Sequence, residues 1–492
     1  MSQPAWPIAM IVLPMLAAPV LVLVGSRRFS QFGAIAVSWG MFAIASQLLQ
    51  SVQEQGIIRY HIGGWLPPYG IEYVVDPFSS YVMWFVSFIG AIVVTYAGRS
   101  VEDEVAENKQ TLFYATYLLC ITGLLGMCIT GDLFNVFVFL EISSLSSYAL
   151  ISLGKSRRAP LAALQYLIVG TVGATFFLIG IGLLYQMTGT LNMAGLAERL
   201  PRESGSRTLI VAFSMMTVGL FVKMAVFPLH TWLPNAYCYA PSAVTAMIAA
   251  TSTKISIYAF IRLIYTIFTD RFAFDALPLG EELAILALLG IYVASLAAIF
   301  QDDVKRLLAY SSVAQIGYML LGISFNTSDG LAAAQSHLFN HAIIKGGLFM
   351  AVGAVVYQTG SCHLDAFRGL SRRMPYTAMA MAIGLLALIG VPATAGFVTK
   401  WMLLTSAIES GNLVIAAMML LSSLLAVVYC WKIVEAMYFA EPMIKPRRLG
   451  DAPRSMIVTT GLVIGLAVVL GLWTPWSAGL ATQAAEFLTG VR

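Results

Sequence analysis

Seven ionisable side chains stand inside long apolar segments, where a charge is costly. They are Glu141, Lys223, Lys254, His337, His341, Lys345 and Lys400. A charge near the centre of a bilayer costs about 2.5 to 3.5 kcal/mol on insertion scales, and such a residue usually faces protein or water. Glu141 is the tenth residue of DLFNVFVFLEISSLSSYALI and falls near the middle of that apolar stretch. An acid and several bases at similar depth on different helices predict proton transfer along a lateral row.

Glu141 and Lys223 have the residue types of a proton switch. Burial weakens the hold of a lysine on its proton, and a nearby carboxylate strengthens it. A changing distance between the two groups would therefore load and unload Lys223, and Lys254 could accept the released proton. The structural alternative is a static buried ion pair, or lysines that extend their ammonium groups toward the membrane surface.

The stretch SHLFNHAIIKGGLF places His337, His341 and Lys345 four residues apart, which puts them on one helix face. Two histidines at this spacing can hold a metal, but the third group is a cation and no acidic or thiol ligand is near in the sequence. Imidazoles titrate near neutrality, so the stripe favours a proton relay toward Lys400. A hydrogen-bonded structural role for either histidine is the alternative.

Composition indicates that these segments lie in a membrane. Of 492 residues, 59% are hydrophobic and 11% charged, and the mean hydropathy is +0.82, whereas soluble domains have about 25% charged residues. About fourteen segments are long enough to cross a bilayer as helices. We expect an all-α polytopic membrane protein with helices near 8–25, 31–51, 77–98, 111–130, 132–153, 160–187, 208–233, 240–267, 283–300, 304–324, 330–358, 376–408, 412–439 and 455–474.

Loop charges predict the orientation. If the chain starts outside, the inner loops hold about sixteen Lys and Arg residues, among them Arg27, Arg157 and Lys445. The outer segments hold six, among them Arg59 and Arg492. This bias predicts that both termini face outside. The net charge of +4 then needs no nucleic-acid partner.

Two of the predicted helices contain helix-breaking residues. Pro228, Pro234 and Pro241 follow Lys223 closely, and Pro392 lies between two glycines shortly before Lys400. Proline removes a backbone donor and clashes with the preceding turn. Irregular backbone at membrane depth requires protein or water to satisfy its polar groups, so each break predicts local water.

The two breaks lie five helices apart, which is typical of an inverted repeat with an ion path at each break. We therefore divide the chain into helices 1–3 (residues 1–110), a first five-helix repeat of helices 4–8 (111–267), a second repeat of helices 9–13 (283–440), and helix 14 with a tail (441–492). Each repeat is expected to contain one discontinuous helix.

Five cysteines show no CxxC spacing, and the sequence has no phosphate loop, nucleophile elbow or zinc-protease motif. We expect no disulfide, metal site or cofactor, and no soluble catalytic domain.

Four ordered motifs, QDDVKRLLAYSSVAQIGYMLLG, FPLHTWLP, STKISIYAFIR and the histidine stripe, make residues 70 to 440 similar to a known family. It comprises the antiporter-like membrane subunits of respiratory complex I, membrane-bound hydrogenases and Mrp-type cation/proton antiporters. The segment around Glu141 resembles the D-type component of Mrp antiporters most. Asn235 departs from many complex I relatives, which have Asp after WLP.

The resemblance implies the inverted repeat and the roles of four residues. Glu141 matches the essential glutamate of the fifth helix, and Lys223 its partner on the broken seventh helix. Lys254 matches the lysine of the eighth helix, and Lys400 the terminal ionisable residue on the broken twelfth helix.

Three functional hypotheses follow. The leading one is a proton-translocating subunit of a multisubunit Na+/H+ antiporter in a bacterial inner membrane, which works with other membrane subunits and is not itself an enzyme. The alternative is a proton-pumping subunit of a complex I-like dehydrogenase or a membrane-bound hydrogenase. An inert assembly scaffold is disfavoured by the lysines at membrane depth. The sequence leaves open which cation is exchanged and whether it crosses this subunit.

Overall fold

The computed structural model describes residues 5–203, 205–443 and 447–490. Lys445 and Arg492, which the loop-charge argument counts, lie outside these ranges. Within them, thirteen helices are long and apolar enough to cross a membrane. A further crossing consists of two shorter helices, so each of the fourteen predicted segments is helical. The chain is an all-α polytopic membrane protein, as its composition predicts.

The helices follow one another with short connections. The first half contains α1 (Trp6–Val24), α2 (Arg27–Gln55), α3 (Pro77–Glu104), α4 (Gln110–Ile129), α5 (Leu133–Ser152), α6 (Ala159–Thr188), α7 (Met193–Arg199), α8 (Arg207–Met224), α9 (Leu233–Tyr239), α10 (Ser242–Ala250) and α11 (Ser252–Arg262). The second half contains α12 (Leu279–Ile299), α13 (Val304–Ser324), α14 (Ser328–Thr359), α15 (Leu370–Arg373), α16 (Pro375–Ile389), α17 (Ala395–Glu409), α18 (Leu413–Tyr438), α19 (Arg454–Leu472) and α20 (Thr474–Thr489).

Both predicted breaks are present. α8 ends at Ala225, which has a left-handed backbone (φ +59°), and an irregular turn leads to α9. The indole of Trp232 donates to the carbonyl of Val222 at 3.0 Å, which satisfies one acceptor freed by the break. The second break separates α16 from α17 at Gly390 (φ +91°), where an added Cβ would lie 2.9 Å from Lys400 Cδ.

A third interruption was not predicted. The segment near 240–267 was expected to be one helix, but Thr251 (φ −123°, ψ −56°) separates α10 from α11. Its hydroxyl donates to the carbonyl of Met247 at 2.7 Å. A π-helical turn, Leu263–Phe268, then follows α11. No proline or glycine marks the interruption in the sequence, so the prediction of an unbroken helix was wrong.

Two other elements were also missed. A short antiparallel hairpin joins β1 (Ile58–His61) to β2 (Glu72–Val75), with Ile58 opposite Val75. α20 follows α19 and packs on α14 and α3, where a tail was expected.

The loops assemble at two ends of the bundle. At the end of the predicted inner loops, Arg27 pairs with Glu102, and Arg448 pairs with Asp103 at 2.8 Å. Lys155 donates to the backbone of Asp103 at the same end. The loops predicted to share one side of the membrane are therefore close in space. The side they face, like the inverted relation of the two repeats, stays a prediction.

Candidate functional site

Glu141 and Lys223 meet between α5 and α8. Their Oε1 and Nζ atoms are 3.6 Å apart; the lysine side chain is 3% exposed and the glutamate side chain 24%. The Lys223 ammonium also donates to the hydroxyls of Ser144 at 2.8 Å and Tyr148 at 3.1 Å. Residues 141, 144 and 148 share one face of α5, so a single helix supplies all three acceptors. Lys223 itself lies in the last turn of α8, next to the first break.

α5 is held at both ends by backbone hydrogen bonds. Asp132 caps its amino terminus, and the Leu133 amide donates to the Leu191 carbonyl at 2.9 Å. Beyond its other end, the Lys155 amide donates to the Glu104 carbonyl at 3.2 Å. These contacts fix the height of Glu141 in the bundle. By contrast, α8 ends in irregular backbone directly after Lys223.

Lys254 is completely buried at the third interruption. Its ammonium donates to the carbonyl of Ala249, and to the hydroxyl of Thr253 at 3.3 Å. No carboxylate pairs with it in the described part of the chain. The irregular backbone at Thr251 places the Ala249 carbonyl where the ammonium can reach it.

His337 and His341 lie buried on one face of α14, as predicted. Their rings are parallel within 3°, with centroids 5.9 Å apart. His337 Nδ1 is 2.8 Å from the hydroxyl of Thr399 on α17. Neither ring nitrogen of His341 has a hydrogen-bond partner among the described residues. A buried imidazole without a protein partner requires water.

Lys345 and Lys400 extend this set toward the second break. The buried Lys345 ammonium donates to the carbonyl of Leu308 at 2.8 Å and to the hydroxyl of Ser311. Lys400 donates at 2.8 Å to the carbonyl of Ile389, at the end of α16, where the break begins. A cavity of about 280 Å³ adjoins Lys400 and is bordered by the Tyr318 ring. Lys254 and Lys400 therefore share a design, a lysine that donates to a carbonyl at a helix interruption.

The five residues Lys254, His341, His337, Lys345 and Lys400 form the lysine–histidine row. The charges of Lys254 and Lys345 both act on His341, and those of Lys254 and Lys400 both act on His337. The row is thus electrostatically continuous across the two predicted repeats. The structure brings Glu141 and Lys223 together as a separate pair.

Tyrosines that sequence reasoning missed stand between the pair and the row. Tyr148, which accepts from Lys223, packs edge-on against Tyr166 with ring centroids 4.6 Å apart. Tyr166 interacts electrostatically with Tyr237, whose hydroxyl lies near that of Thr253. Thr253 in turn accepts from Lys254. Tyrosine is common in apolar segments, so nothing in the sequence distinguishes these three.

Residues 130–426 match the family described as NADH:quinone oxidoreductase/Mrp antiporter, transmembrane. This range is more than half of the chain and includes all seven predicted site residues. The chain belongs to this family. Members of the NADH:quinone oxidoreductase/Mrp antiporter family include both redox and antiporter subunits, and the similar proteins are divided in the same way.

One family member is 42% identical over 487 residues, 95% of each chain, and is the N-type component of the NADH-quinone oxidoreductase of Desulforudis audaxviator. Another is the D-type component of the Na(+)/H(+) antiporter of Bacillus subtilis, 31% identical over 97% of this chain and 96% of that protein. A chain in the structure of the Mrp complex from Dietzia sp. DQ12-45-1b has a TM-score of 0.90 and 27% identity, with coverage of 99% of this chain and 98% of that chain. The fold is therefore common to both functional branches.

Proposed function

We propose that this chain is the proton-translocating subunit of a multisubunit Na+/H+ antiporter, a transporter subunit without a redox centre of its own. The observation that carries the proposal is the buried Glu141–Lys223 pair, separated by 3.6 Å beside the break after α8. The similarity to the D-type components of Na+/H+ antiporters and to a chain of an Mrp complex supports the same function. We place the chain in a bacterial inner membrane with both termini outside.

The pair would act by exchanging the proton of Lys223. With Glu141 close, the ammonium form is stabilised by charge and by the hydroxyls of Ser144 and Tyr148. When the gap widens in this buried site, the charge loses its main compensation and the neutral amine is favoured. The proton then leaves toward Lys254 through the Tyr148, Tyr166 and Tyr237 region.

The lysine–histidine row would carry the proton onward. Each lysine of the row donates to a backbone carbonyl, which stabilises its charged form without a fixed counter-ion. His341 has both ring nitrogens available to water and lies between Lys254 and His337 on the path to Lys400. A neutral imidazole accepts a proton on one nitrogen and releases one from the other, so the two stacked rings suit a relay.

The second candidate is a proton-pumping subunit of a complex I-like enzyme. The relative named as an NADH-quinone oxidoreductase component favours it, because that protein is 42% identical to this chain. Both candidates use the same pair and row and differ in the energy source. In either case other membrane subunits accompany this chain, and electron transfer would occur outside it.

The first prediction distinguishes the two candidates. The whole complex, expressed in a host that lacks Na+/H+ antiporters, is studied in inverted membrane vesicles with an imposed pH gradient. We expect NaCl to collapse the gradient and choline chloride to leave it, and the purified complex to contain only membrane antiporter subunits. Flavin or iron–sulfur subunits in the complex, with proton movement that follows an electron donor and ignores sodium, would favour the redox candidate.

The second prediction concerns Tyr148. Tyr148→Phe removes one acceptor from the Lys223 ammonium, and a hydrogen bond to a charged group contributes about 1.5 to 3 kcal/mol. Ser144 and Glu141 remain, so we expect the initial antiport rate to fall severalfold without loss of assembly. Tyr292→Phe is the matched control, because that hydroxyl donates at 2.8 Å to the Met418 carbonyl away from the row. Equal rates in both variants would contradict a role for Tyr148.

A further inference from the structure

Three side chains that the proton path does not use converge at the end of the bundle where the predicted inner loops meet. They are Cys238, Asp303 and Cys362, here called the thiol–carboxylate cluster. One ligand atom from each, two sulfurs and a carboxylate oxygen, lie within 4.8 Å of one another. They come from the last turn of α9, the residue before α13 and the loop after α14. No sequence motif reveals the cluster, because its members are far apart in the chain.

The carboxylate of Asp303 is already oriented. Its Oδ1 atom accepts from the Arg306 amide at 2.9 Å and caps α13, while Oδ2 accepts from the Cys362 thiol at 2.8 Å. The Val304 amide donates to the Cys362 carbonyl at 2.9 Å, which holds the loop against the start of α13. One oxygen thus fixes the side chain and the other remains for a ligand, as in sites whose outer contacts orient the metal ligands.

The charges around the cluster leave room for a cation. Lys305 lies 4.0 Å from the carboxylate of Glu104, and Arg306 donates to Asn235 Oδ1 at 2.9 Å. Both cations next to Asp303 in the sequence therefore have other partners. Across the residues that the structure describes, Asp303 forms no ion pair within 4.0 Å. The nearby positive charges also favour the thiolate form of a cysteine, which is the form that binds metals.

The cluster is accessible from the loop side. Cys238, Asp303 and Cys362 line an open cleft of about 510 Å³ together with residues of the neighbouring loops. We propose that Cys238, Asp303 and Cys362 bind one thiophilic divalent cation of the zinc class. Two thiolates and a carboxylate supply three ligands, and water from the cleft supplies the fourth of a tetrahedral site. Binding replaces the two thiol protons, which are released to solvent.

The site would link parts of the chain that the proton path keeps separate. Cys238 is on α9, directly after the first break, whereas Asp303 and Cys362 flank α13 and α14 of the second predicted repeat. A bound cation would therefore fix α9 relative to the second repeat. This inference does not depend on the energy source or on the antiporter proposal.

The third prediction tests the site by titration of the purified complex with Co2+, which reports thiolate ligands through charge-transfer absorption. We expect one such site per chain, with affinity at least about tenfold weaker in Cys238→Ser, Cys362→Ser and Asp303→Asn. Asparagine still caps α13, so Asp303→Asn removes the charged ligand and keeps the helix start. Cys128→Ser is the control, because that thiol lies on α4 and bonds only to the carbonyl of Leu124 at 3.4 Å.

A second measurement uses the unaltered complex and so does not depend on the folding of a variant. Zn2+ should protect Cys238 and Cys362 together from alkylation, as read by peptide mass spectrometry. Unchanged labelling with Zn2+ would overturn the proposal. So would an unchanged Co2+ spectrum in Cys362→Ser, or a Cys238–Cys362 disulfide in complex purified without oxidant.

Discussion

Antiport should stop when Lys223 is replaced by alanine. The variant removes the group that alternately holds and releases the proton, and it leaves Glu141 without its buried partner. Because no other lysine contacts Glu141 among the described residues, we expect the initial rate to fall by at least about a hundredfold, since one lost proton-transfer step alone is worth about 10² to 10⁴ in rate. The measurement is sodium-dependent collapse of the pH gradient in inverted vesicles, normalised to assembled complex.

Glu141→Ala should give the same loss, and the double variant should be no worse than either single variant, since the two residues act as one unit. Lys432→Ala is the matched control. That lysine pairs with Asp302 at 2.9 Å near the end of α18 and holds the pKa of the Asp302 carboxyl below its ordinary value by hydrogen bond and charge. Full activity of Lys223→Ala in an assembled complex would reject the mechanism.

The second large effect is expected at Lys254, where charge and proton release can be tested apart. Lys254→Met removes both, and Lys254→Arg keeps a positive charge that does not release its proton. We expect both variants to lose more than about 90% of antiport, because a proton step that is removed costs at least about tenfold in rate. If Lys254 supplied only a fixed charge, the arginine variant would keep most of its activity.

Assembly decides whether these variants can be interpreted. Lys254 is completely buried, so the larger guanidinium requires local repacking. Size-exclusion profiles of the Met and Arg variants should match that of the unaltered complex. Lys432→Arg provides a control for the same substitution at an accessible lysine.

The sequence predicts the helical framework well because membrane crossing imposes strong constraints. Length and hydropathy were sufficient to place fourteen segments, and α13 begins and ends where predicted. Prolines and glycines marked the two predicted breaks, since their backbone effects do not depend on tertiary contacts. The rarity of charge in apolar segments identified the seven ionisable residues.

The remaining features depend on tertiary packing and have no local signal. Thr251 interrupts its helix although threonine occurs in many unbroken helices. The contact between Lys223 and Tyr148, and the sequence of tyrosines beyond it, arises from the way α5, α6 and α9 pack. The thiol–carboxylate cluster joins three segments that the sequence separates by 65 and 59 residues, the differences between positions 238, 303 and 362.

The different anchoring of α5 and α8 determines which partner of the pair can move. Backbone hydrogen bonds hold α5 at both ends, so a vertical shift of Glu141 would break contacts with two separate loops. Lys223 is followed within two residues by irregular backbone, which can rearrange without disrupting a helix ladder. Glu141 is therefore the stator of the switch and Lys223 the rotor, and conformational change elsewhere in the complex should reach the pair through the α8–α9 hinge.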